Sequence, residues 1–307
     1  MRLNLNHIRE HVTATIDLSG SKSESNRALI IQALSSKSLE LNRLANAEDT
    51  RVLKHLLHQI ETGQDRVLDV GIAGTVMRFL TAYLAITPGQ WILTGEERMK
   101  QRPIGILVNA LRELGAQIDY VEKEGFPPLS IDGGAIKGGE IVVAGDVSSQ
   151  FISALLMIAP KLSGGLKLSF EGELISKPYI QMTIDIMNHF GAEVQWVNER
   201  IVVQQGGYQG KAFQVEADWS AASYYYGFSA LSEEVDITLK GLKQDSLQGD
   251  AIVRDYYSKL GVETTLEEDG VHLHNINGFV YPGELKFDFE ACPDIAQTIA
   301  VTCAALN

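Results

Sequence analysis

Six short stretches of this 307-residue sequence gather cations, hydroxyls and amides where an apolar run begins. The first is Gly20-Ser21-Lys22-Ser23-Glu24-Ser25-Asn26-Arg27. Lys22 supplies a compact ammonium, Ser23 a hydroxyl and Arg27 a planar fork of donors, a set suited to phosphate. The second is Gly71-Ile72-Ala73-Gly74-Thr75-Val76-Met77-Arg78, where Gly74 lets a ligand approach the backbone. The third is Arg102-Pro103-Ile104-Gly105. Pro103 can start a helix, and Arg102 just before it stands against the local dipole field, which points to an anionic partner. Val147-Ser148-Ser149-Gln150-Phe151 places two hydroxyls and an amide before the apolar run 151–159. Ser176-Lys177-Pro178-Tyr179 offers a hydroxyl, an ammonium and a phenol. Last, Cys292-Pro293-Asp294 opens the final run. Asp294 there suits a cap, or a carboxylate that accepts a proton or a sugar-like hydroxyl's hydrogen bond. Taken singly, each stretch also reads as an ordinary helix entry.

Helices must position these groups, and they come in two interleaved kinds. One is amphipathic and ends in a large apolar residue and Gly: Ile104 to Gly115, Ile180 to Gly191 and Val253 to Gly261. An alternating strand follows each, at Gln117 to Val121, Glu193 to Val197 and Glu263 to Leu266, then a turn and a second strand. The other kind is small and apolar all round, so it should be buried. Its copies begin near Lys22, Gly74, Ser149, Asp218 and Pro293. The repeat is therefore about 70 residues, β-α-β-α-β-β in outline, with the first copy shortened. Such a unit cannot bury its own helices. Several must pack with buried helices inside and sheets outside. Each buried helix then presents free N–H groups at its start, a ready-made anion site.

Bulk properties set the bounds. The length favours two domains. The net charge of −13 argues against nucleic acid or an anionic membrane as partner, while a local cationic cluster still suits a small anion. No run is long enough to span a membrane. Residues Met1 to His11 lack a signal-peptide pattern, so a cytoplasmic protein is expected. Cys292 and Cys303 read as reduced core thiols with no zinc spacing, and no metal site is expected. His55 with His58, and His272 with His274, share faces without a third ligand and read as ordinary histidines.

The six stretches, in this order, resemble the 5-enolpyruvylshikimate-3-phosphate synthase family. The strings Ser21-Lys22-Ser23 with Asn26-Arg27-Ala28, Ala73-Gly74-Thr75 with Met77-Arg78, Arg102-Pro103-Ile104-Gly105, Val147-Ser148-Ser149-Gln150 and Ser176-Lys177-Pro178-Tyr179 carry the resemblance. It implies an α+β, two-domain enolpyruvyltransferase fold with three repeats per domain. Residues 19–213 would form a complete domain; 1–18 with 214–307 would form an incomplete second one. The crossovers would lie at Ser19 and Gly20 and near Lys211 to Gln214. Lys22, Ser23, Arg27, Ser148, Ser149, Gln150, Ser176 and Tyr179 would hold shikimate 3-phosphate. Lys22, Gly74, Arg102 and Gln150 would hold phosphoenolpyruvate. Asp294 would bond the ring hydroxyls and take a proton, with Lys22 also catalytic. The resemblance implies no cofactor, and a monomer when full length.

The same resemblance sets two departures and a boundary. Ile72 stands where many relatives have Asn, and Phe79 where some have Pro. On the order of 100 residues of the family pattern would lie beyond Asn307, with further phosphoenolpyruvate-binding cations. This stretch alone is accordingly expected to bind shikimate 3-phosphate without turnover. The sister enolpyruvyltransferase acting on UDP-N-acetylglucosamine is disfavoured, because Gly95 to Gln101 lacks the Cys it uses.

Overall fold

The computed structural model describes residues 11–63, 65–134 and 136–306. The readings that rest on residues 1–10 (the missing signal pattern and part of the 1–18 segment) and on Asn307 fall outside them. The chain divides into two compact units, with the divisions at Ser21/Lys22 and at Val215/Glu216.

One strand plan recurs three times. In the unit that contains both ends of the chain, β1 (His11–Asp17) pairs in parallel with a later strand, β12 (Glu234–Lys240). A hairpin of β13 (Val262–Glu267) and β14 (Gly270–Asn275) completes the order β1-β12-β14-β13. The central unit holds two sheets on the same plan. Strands β3 (Val67–Asp69), β4 (Gly89–Thr94), β5 (Gln117–Tyr120) and β6 (Leu129–Gly133) run β3-β4-β6-β5. Strands β7 (Lys137–Ala144), β8 (Ser163–Glu171), β9 (Val194–Val197) and β10 (Arg200–Val203) run β7-β8-β10-β9. In each sheet the first two strands are parallel, and every other pairing is antiparallel. A parallel pair needs a crossover, and a helix supplies it. The shortened copy is the two-stranded pair β2 (Glu40–Asn42) and β11 (Ala212–Gln214).

The helices follow their composition. In the central unit, α1 (Lys22–Leu34), α3 (Gly74–Ala85) and α6 (Ser149–Ile158) are buried almost all round. The amphipathic α2 (Glu48–Thr62), α5 (Gly105–Glu113) and α7 (Lys177–His189) bury one face, and α4 (Glu97–Lys100) is a single turn. The other unit carries α8 (Trp219–Ala230), α9 (Val253–Ser258) and α10 (Ala296–Leu306). The glycines expected to end the amphipathic helices take φ of +95°, +82° and +87° at Gly115, Gly191 and Gly261, values only glycine adopts freely. In the end-containing unit a core forms around Trp219, Tyr226, Tyr257, Leu239 and Leu273. One flank of α8 and α10 leaves Tyr224, Phe228, Leu231 and Val301 exposed. Among the described residues no helix is long and apolar enough to cross a membrane.

Candidate active site

Arg27 is the keystone of the central unit. It sits one turn into α1 and is 2% exposed. Its Nε donates to Thr183 Oγ1 at 2.6 Å, and one Nη to the Ser23 carbonyl at 2.8 Å. The other Nη donates to Ser153 Oγ at 3.1 Å and to the Tyr179 carbonyl at 3.3 Å. The Phe79 ring lies 5.6 Å from the guanidinium carbon. One side chain therefore ties the starts of α1, α6 and α7 together and rests on α3. Four of its five N–H donors are engaged, which leaves one on the Nη that bonds Ser23. Burial pushes its pKa down to about 10, against the opposing pull of Tyr179 and the Glu24 carboxylate.

A second knot joins α3 to α6. Gly74, the first residue of α3, lies directly under the Arg102 guanidinium: a β-carbon on Gly74 would meet Arg102 Nη1 at 2.2 Å. No side chain caps α3, so its first N–H groups stay open to an anion. Arg78 follows Gly74 by four residues and so shares its helix face. It donates to Gln150 Oε1 at 2.8 Å, and Phe151 flanks it at 5.2 Å. Burial, and next the charge of Arg102, press Arg78 down to about 10. Two arginines that repel one another, with no carboxylate paired to either among the described residues, form a site arranged for a ligand's negative charge.

The other helix starts are shaped by their backbones. Ser148 caps α6 and accepts weakly from the Gln150 N–H at 3.4 Å, while Ser149 is nearly buried. Ser176 precedes α7 at φ +53°, a left-handed conformation that a non-glycine residue rarely holds, and its hydroxyl does not cap the helix. Such strain concentrates at sites where a side chain must face a ligand. Lys22, Ser23 and Tyr179 are half-buried, and Arg102 is exposed.

Asp294 belongs to the other unit, in the 3-10 turn Pro293–Ile295 that leads into α10. It is exposed and caps nothing, so the capping alternative does not describe it. The histidine pairs stay outside the helix starts. His272 and His274 stack at 5.5 Å on a sheet face, bonded to Asp236 and Glu263. Ile72 is 62% exposed at the loop before α3, where an apolar residue gains nothing from packing.

Four supporting residues carried no role in the sequence reading: Arg78, Phe79, Ser153 and Thr183. Three of them had a signal. Arg78, Ser153 and Thr183 each stand four residues after a residue of a helix-start cluster (Gly74, Ser149, Tyr179), one turn further along the same helix face.

Comparison with known proteins supplies an independent observation. The family model described as EPSP synthase (3-phosphoshikimate 1-carboxyvinyltransferase) matches residues 7–307. The chain is similar to a 3-phosphoshikimate 1-carboxyvinyltransferase of Bacteroides fragilis (strain YCH46): 51% identical over 297 residues, covering 96% of this chain and 71% of that protein. A protein of the same name from Sulfurovum sp. (strain NBC37-1) is 40% identical over 320 residues, covering 95% of this chain and 73% of that one. Among solved structures, EPSP synthase from Acinetobacter baumannii superposes with a TM-score of 0.78 at 20% identity, over 96% of this chain and 72% of that chain, which shows a shared fold.

Proposed function

This chain belongs to the EPSP synthase (3-phosphoshikimate 1-carboxyvinyltransferase) family, and on that premise we propose how its residues serve the family's reaction. The reaction is transfer of the enolpyruvyl group from phosphoenolpyruvate to the 5-hydroxyl of shikimate 3-phosphate, a step of the shikimate pathway to aromatic amino acids.

Lys22, Ser23, Arg27, Ser148, Ser149, Gln150, Ser176 and Tyr179 hold shikimate 3-phosphate at the starts of α1, α6 and α7. Lys22, Gly74, Arg102 and Gln150 hold phosphoenolpyruvate. Lys22 and Gln150 touch both ligands and so set their spacing. The 5-hydroxyl oxygen adds to the carbon that bears the phosphate, Asp294 takes the hydroxyl proton, and the Lys22 ammonium gives a proton to the methylene carbon. The tetrahedral adduct then returns a proton from its methyl group to Lys22, and the carbon–oxygen bond to phosphate breaks, with the Asp294 proton leaving on the inorganic phosphate. Lys22 and Arg102 offset the charge that gathers on the phosphate as its bond breaks. The central unit from about residue 19 to 213 acts as the substrate-holding domain. The full-length protein works as a cytoplasmic monomer.

The observation that carries this reading is Arg102 lying over Gly74 at an uncapped helix start, beside Arg78 and with no carboxylate among the described residues paired to it. Phosphate release by the full-length protein, measured with each substrate alone and with both together, tests it. Release that needs both and falls at least a hundredfold in Asp294→Asn is expected. Release unchanged in that variant would contradict the role given to Asp294.

A further inference from the structure

Arg78 binds neither ligand in the reading above, yet it is the one charged residue on a helix otherwise lined by small and apolar residues. Its Nη1 meets Gln150 Oε1 at 2.8 Å across the α3–α6 contact. Its Nε is buried and makes no hydrogen bond among the described residues. A guanidinium has only donors. The Gln150 atom that faces it must therefore be the carbonyl oxygen, and the amide NH2 must point the other way. A free glutamine side chain would sample both faces of its amide and several rotamers.

We propose that Arg78 is a positioning residue, which holds the Gln150 carboxamide by its oxygen so that its NH2 is presented as a donor to the anionic substrates. This rests on the reading that places Gln150 against both ligands. Phe151, 5.2 Å from the guanidinium carbon, walls the pair on one side. The arrangement also selects by charge. Arg78 turns away the acceptor end of Gln150, which would repel a phosphate or carboxylate oxygen, and leaves only donors facing the ligand. The Arg102 guanidinium lies over Gly74, one turn from Arg78 on the same helix face, so Arg78 can face Gln150 while Arg102 serves the ligand directly.

The test is a double-mutant cycle read as the dissociation constant of shikimate 3-phosphate, with the thermal midpoint of each variant recorded. Gln150→Ala is expected to weaken binding about tenfold, and Arg78→Met by a similar factor in the parent. In the Gln150→Ala background, Arg78→Met is expected to change binding less than twofold. Arg78→Lys, which keeps a donor, is expected to recover most of the loss. An equal loss from Arg78→Met in both backgrounds would overturn the positioning role, because the effect would not pass through Gln150. No loss from Gln150→Ala would overturn the placement of Gln150 itself, and the proposal with it. Gln150→Glu keeps Arg78 intact and guards against a misfolded Arg78→Met. Arg78 then holds an all-acceptor carboxylate, and binding is expected to fall further than in Gln150→Ala. Binding equal to the parent's would sink the proposal.

Discussion

Replacing Gly74 by alanine isolates the phosphoenolpyruvate half of the site. The new β-carbon would sit 2.2 Å from Arg102 Nη1, 2.8 Å from Cζ and 3.0 Å from Nη2. Ordinary contact begins at 3.4 Å, so the guanidinium must withdraw by about 1.2 Å. It can do so cheaply, because it is the end of a flexible, exposed side chain. A misplacement of about 1 Å costs up to roughly a hundredfold where geometry is tight. The expected outcome is a rise of ten- to a hundredfold in KM for phosphoenolpyruvate in a phosphate-release assay of the full-length protein. The dissociation constant for shikimate 3-phosphate should stay within twofold, since its groups lie on α1, α6 and α7. Stability should not fall, because alanine favours a helix over glycine by about 0.5–1 kcal/mol. An unchanged KM for phosphoenolpyruvate, with the thermal midpoint intact, would refute the placement of Arg102.

Three further outcomes follow from the same geometry. Arg27→Ala should lower stability by about 3 kcal/mol, because it empties a space between four helices and strands several hydrogen-bond partners; Arg27→Met, which fills the space and removes the burial penalty on the charge, should cost less, and thermal unfolding compares the two. Ser176→Gly should relieve the left-handed backbone at φ +53° and raise stability by up to about 1 kcal/mol, while the lost hydroxyl weakens shikimate 3-phosphate binding roughly tenfold by calorimetry. Binding should be level between pH 7 and 9, because Arg27 and Arg78, although lowered to about 10, stay charged there, and should decline below about pH 6 as the ligand phosphate passes from dianion to monoanion.

Much of the fold was legible because two periodicities coexist. The glycines at 115, 191 and 261 mark helix ends and recur with the repeat, and the strand plan recurs with them. The clusters at Lys22, Gly74 and Ser149 were legible for a related reason: polar residues at the start of a buried helix have little structural purpose beyond capping. Hidden from the sequence was which of these groups the protein itself consumes. Arg27 reads as a ligand clamp, yet spends four donors on Thr183, Ser153 and two carbonyls. Three of those contacts span 126 to 156 residues of chain, so only the packing of α1, α6 and α7 creates them. Arg78 stayed hidden likewise, since its partner Gln150 lies 72 residues on. Ser176, expected to hold the phosphorylated substrate, could also read by itself as a plain helix entry, but its backbone is left-handed and its hydroxyl does not cap α7.

Calorimetric titration of shikimate 3-phosphate into the protein, alongside Lys22→Ala and Ser149→Ala, tests the central claim most directly: that the starts of α1, α6 and α7 form one anion site. Saturable binding at one site per chain is expected, weakened at least tenfold by either substitution while the thermal midpoint without ligand stays put. Binding of parental strength in both variants would contradict it.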